Sequence, residues 1–121
     1  SFGDEGFFRK GAIFAKKMSV ASDFDRMKNK IARFVESEIT PLLDGFNSFF
    51  KEIGCETVST SIIYNLDDIS SDSDYSGDDW CQNMEGACSE LDEFMADLDS
   101  LVSTLSDKLN ESLYLSSGIY R

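Results

Sequence analysis

The sequence predicts an α+β fold, mainly α, with two long amphipathic helices packed antiparallel and a strand and acidic loop between them. Three observations carry that expectation. Two long stretches of the 121 residues place apolar side chains at steps of three and four, the period of a helix with one buried face. Ten residues between them alternate instead, as a half-buried strand does. A run of aspartates and serines then separates that strand from the second helix. A small sheet, completed by a terminus or by a second subunit, closes the expected fold.

Residues 1–20 mix phenylalanines with positive charge and carry Gly3, Gly6 and Gly11, which weaken a helix. They read as an aromatic and basic arm, and residues 21–121 as a single helical α+β domain. A helix follows, with Ser22 as a cap and apolar residues from Phe24 to Ile53. Gly54 sits where a helix-ending glycine belongs. Pro41 predicts a kink, or two nearly collinear helices, because proline has no amide hydrogen.

Residues 57–66 set Val58, Thr60, Ile62, Tyr64 and Leu66 on one side of a strand. A lone strand needs a partner. The candidates are the arm, the segment Leu113–Tyr120, or the same strand of a second copy. Residues 67–79 form an acidic loop with six aspartates and four serines. The second helix begins near Asp79 and ends near Ser112. Its residues Met84, Leu91, Leu98 and Leu105 recur every seven, as do Ala87, Phe94 and Leu101 beside them and Cys88, Met95, Val102 and Leu109 on the other side. That makes a broad apolar face suited to a globular bundle.

Composition then excludes several kinds of chemistry. There is no histidine, so no Ser-His-Asp triad, no Cys-His pair and no histidine metal ligand. The carboxylates lie on a solvent face and a loop rather than in a pocket that would split their pKa values, so the protein is not expected to be an enzyme. No cofactor, metal site or catalytic residue is expected. Three cysteines make neither a disulfide framework nor a zinc site, and a reducing, cytoplasmic setting fits them. No membrane association and no direct binding of nucleic acid are expected.

The net charge of −12 is unevenly held. Residues 1–51 carry seven acids and nine bases, while residues 52–121 carry sixteen acids and two bases. That asymmetry predicts a small acidic interaction module. The expected role is an inhibitor or decoy, of the nucleic-acid-mimic or immunity type, that covers a basic surface of a nucleic-acid-binding protein or toxin. The expected contacts are Asp67, Asp68, Asp72, Asp74, Asp78 and Asp79 in the loop and Glu85, Glu90, Asp92, Glu93, Asp97 and Asp99 on the helix. Tyr75 and Trp80 are of the residue types that anchor interfaces.

Two alternatives follow from other features. The unpaired strand suggests a homodimeric structural or chaperone-like assembly protein. The loop at 72–83 suggests a calcium-responsive module, because Asp72, Asp74, Ser76 and Gly77 match positions 1, 3, 5 and 6 of an EF-hand calcium loop, three ligands and the turn glycine. Asn83 then stands where that loop needs a bidentate glutamate, and a strand precedes it where a helix is required.

Overall fold

A computed structural model describes the backbone of residues 2–119 and the side chains of residues 9–114. Helix α1 spans Phe2–Phe34, and a single π-helical segment, Val35–Ile39, joins it to α2, Thr40–Glu52. A 3₁₀ helix spans Ser61–Asp68, and α3 runs over Trp80–Ile119.

The joint between α1 and α2 follows from Pro41. The Thr40 amide donates to the carbonyl of Val35, five residues back. Proline supplies no amide of its own, and a widened turn ahead of it accommodates the loss. The same turn keeps the buried stripe in line. Val35 and Leu43 are both buried and eight residues apart. On a regular α-helix that interval overshoots two turns by about 80°. Helix α2 ends as the sequence predicts. Gly54 has φ +78°, its amide donates to Lys51 O at 3.2 Å, and the Cys55 amide donates to Phe50 O at 2.7 Å. Those two bonds are the Schellman pattern.

Helix α3 buries Met84, Leu91, Leu98 and Leu105 and, beside them, Ala87, Phe94 and Leu101. They pack on Phe24, Val35, Leu43 and Phe50 of the first helical column. The third apolar row of α3 stays outside: Met95 and Val102 are each 44 % exposed. The packed seam is thus narrower than the sequence suggested.

The α+β expectation fails on four counts. Among the described residues there is no strand and no sheet. Residues 57–60 are irregular and residues 61–66 belong to the 3₁₀ helix, with Ile63, Leu66 and Ile69 turned inward at the three-residue period of that helix. Tyr64, which alternation would bury, is 70 % exposed. The arm is part of α1, and Leu113–Ile119 continues α3, so neither segment is a partner strand. Tyr120 lies outside the described residues.

The helices also run parallel rather than antiparallel. Lys17 lies over Trp80 at the start of α3, while Lys108 lies over Phe50 near the end of α2. The connection returns along the pair. Ser112 Oγ donates to Cys55 Sγ at one end, and Lys17 Nζ donates to Tyr75 O at the other. The distance to be retraced is about 42 Å, from 28 residues of α3. A connector of this length spans it easily, because extended chain covers up to about 3.3 Å per residue.

Candidate interaction surface

The acids that the sequence singles out do not form one ridge. Glu90 and Asp97 are seven residues apart and share a face of α3, which Glu93 borders. Asp92 lies two residues beyond Glu90, a rotation of about 200°. Glu85, Asp92 and Asp99 therefore occupy the opposite flank.

The first of these faces meets the returning chain. Asn65 and Asp68 from the 3₁₀ helix, Ile69 just after it, and Glu90, Glu93, Phe94 and Asp97 from α3 line a groove of about 280 Å³. Ile69 and Phe94 are buried and form its floor. Its four carboxylates belong to exposed residues, and its lining holds no base. Asp67 is exposed beside Asp68. The spacing follows from the fold. Leu66 and Ile69 anchor the 3₁₀ helix, which leaves Asp67 and Asp68 outward. The narrow seam of α3 leaves Glu90, Glu93 and Asp97 at its edge.

The loop acids do different work. Asp72 Oδ1 accepts the Asp74 amide at 2.9 Å, and Asp72 Oδ2 accepts from Asn83 Nδ2 at 2.9 Å. These bonds hold the Asp72 carboxyl below its usual pKa, the Asn83 bond most strongly. The Asp72 carbonyl accepts from Trp80 Nε1 at 3.0 Å, and Asp74 Oδ1 accepts from Ser76 Oγ at 3.3 Å. The turn is tight: a Cβ on Gly77 would stand 2.8 Å from Asp74 Oδ2. No three metal-ligating side chains converge among the described residues. Asp78 and Asp79 are exposed just ahead of α3, where a helix N-terminus favours negative charge.

Tyr75 and Trp80 join this clasp to α1. Trp80 is buried beneath the Lys17 ammonium, 5.4 Å from its ring centroid. Tyr75 meets Phe14 edge-on with ring centroids 5.3 Å apart. Among the described residues no helix is long and apolar enough to cross a membrane.

Neither the family models, nor the curated proteins, nor the solved structures give a similarity to this chain. The groove must therefore be read from its chemistry. Asn65 is the polar lining residue that the sequence reading passed over. Its signal was faint: it lies three residues before Asp68, one turn of a 3₁₀ helix, and the strand reading hid that interval.

Proposed function

We propose that the protein is a binding module whose acidic groove takes a basic, protruding segment of a partner protein. The observation that carries this reading is the groove lining, with Asp68, Glu90, Glu93 and Asp97 and no base. Glu90 and Asp97 lie about 10 Å apart along α3, a span that admits two lysine or arginine side chains of one extended segment. An exposed ion pair contributes about 0.2–1 kcal/mol. Four acids therefore support a transient complex whose charge mainly speeds association. Covering a basic surface in this way is what an inhibitor or decoy does. Glu85, Asp92 and Asp99 on the far flank take no part in it.

The test is fluorescence anisotropy with an arginine- and lysine-rich peptide over a salt series. Binding is expected to weaken steeply between low and physiological ionic strength. Glu90→Gln, Glu93→Gln and Asp97→Asn together should abolish it, while Glu85→Gln, Asp92→Asn and Asp99→Asn should leave it near the parent value. Equal losses from the two triple variants, or salt-independent affinity, would overturn the reading.

A further inference from the structure

The face opposite the acidic groove is apolar and uncovered. Val20, Met27 and Phe34 recur every seven residues along α1, and Leu42 continues their line on α2; all four are between 38 and 55 % exposed. Val102 of α3 faces Leu42 across a groove that Ile39, Phe46 and Leu109 also line, and Met95, seven residues before Val102, lies on the same face of α3. The returning chain packs on the other side, near Thr57, Val58 and Ile62. Two helices thus present one long stripe that none of the other described residues covers.

Charge borders the stripe unequally. Lys16 and Lys30 are one helical turn from Val20 and Met27, on the α1 edge, and the acid between them on that edge, Asp23, is paired with Arg26 at 3.3 Å. Asp92 and Asp99 are one turn from Met95 and Val102, on the α3 edge. We infer that this face binds a second copy of the chain, in a two-fold dimer with α1 of each copy laid over α3 of the other.

Symmetry and charge select that arrangement. A two-fold axis running along the helices crosses the basic edge of one copy with the acidic edge of its mate. An axis across the helices would set base against base and acid against acid. The register also agrees. Lys17 and Trp80 share a level, as their contact shows. Lys30 lies 13 residues beyond the one and Asp92 12 residues beyond the other, about 19 and 18 Å along nearly parallel axes. In the proposed dimer these two residues meet twice. The area suffices as well. A stripe about 33 Å long across two helices, each about 10 Å wide, buries on the order of 1,300 Å² over both copies, within the range of stable specific interfaces.

Sedimentation equilibrium tests the proposal at micromolar to 100-micromolar concentrations. Twice the monomer mass is expected, and a monomer throughout would overturn it. Val102→Glu should weaken the dimer more than tenfold by burying a charge, with helical circular dichroism retained. Charge reversal guards against a mere folding defect. Lys30→Asp and Asp92→Lys should each weaken association about fivefold, since each pair occurs twice. Together they should restore it. A double variant no tighter than the single ones would refute the crossed arrangement.

Discussion

Asn47 is the side chain that ties the returning segment to α2, and its removal should be costly in a specific way. Its Nδ2 donates to Val58 O at 2.9 Å, and its Oδ1 accepts the Val58 amide at 2.8 Å. One amide side chain thus occupies both backbone groups of a residue that has no strand neighbour. A hydrogen bond of this kind contributes about 1 kcal/mol net. The site is half-buried, so water replaces the lost partner only in part. Asn47→Ala should therefore cost about 2 kcal/mol and lower the melting temperature by roughly 8 °C. Urea denaturation followed by circular dichroism measures the first quantity. Asn47→Asp separates the two bonds. It keeps an acceptor for the Val58 amide but points a second acceptor at the Val58 carbonyl. At neutral pH it should be at least as damaging as alanine. The fold then favours the protonated carboxyl, which raises its pKa. Stability should consequently recover as pH falls through that raised value. A loss below 0.5 kcal/mol for Asn47→Ala, or an Asp variant indifferent to pH, would refute this account.

Two further perturbations probe the backbone and the clasp. Gly54→Ala should cost about 1 kcal/mol, because φ +78° is strained for any residue with a Cβ while open space surrounds the site; urea melts of the two proteins measure it. The lowered pKa of Asp72 means that its contribution is full above the unfolded carboxylate value and is lost as pH falls through the folded one. Asp72→Asn should flatten the loss of stability on acidification below about pH 4, as followed in an acid titration.

Helix seams were legible because burial writes a period into the chain. Every member of the Met84 and Ala87 rows is buried from Met84 to Leu105, and Gly54 terminates α2 where its φ demands glycine. The strand was misread because Leu66 belongs to two patterns at once: it lies an even number of residues from Val58 and Ile62, and three residues from Ile63 and Ile69. Tyr64 decides between them, and its exposure is visible only in the folded chain. Gly3, Gly6 and Gly11 did not break α1, since a weak propensity yields to its context. On the acidic surface, the chain shows that Glu90 and Asp97 share a face and that Asp92 does not. It does not show which face the 3₁₀ helix will border. That depends on the path of the connector, which local patterns do not encode.

Helix direction is the harder case, because an apolar stripe packs equally well on a neighbour running either way. Charge breaks that tie. Residues 9–33 of α1 hold eight bases and two acids, while residues 67–99 hold twelve acids and no base. Parallel packing lays these two regions side by side, as the Lys17 contacts with Tyr75 and Trp80 show. Antiparallel packing would set the acids of α3 beside Glu36, Glu38 and Asp44 instead. Parallel helices align their dipoles, a cost concentrated at the first and last turns. Opposite side-chain charge acts along several turns, although salt screens it beyond about 8 Å. Among the described residues the ion pair within 4 Å is Arg26–Asp23, inside α1 itself. The attraction between the helices is therefore diffuse: too weak to hold the fold, but of the sign that selects one direction over the other. It also leaves the lysines of α1 and the carboxylates of α3 unspent at their outer edges, where a second copy can use them.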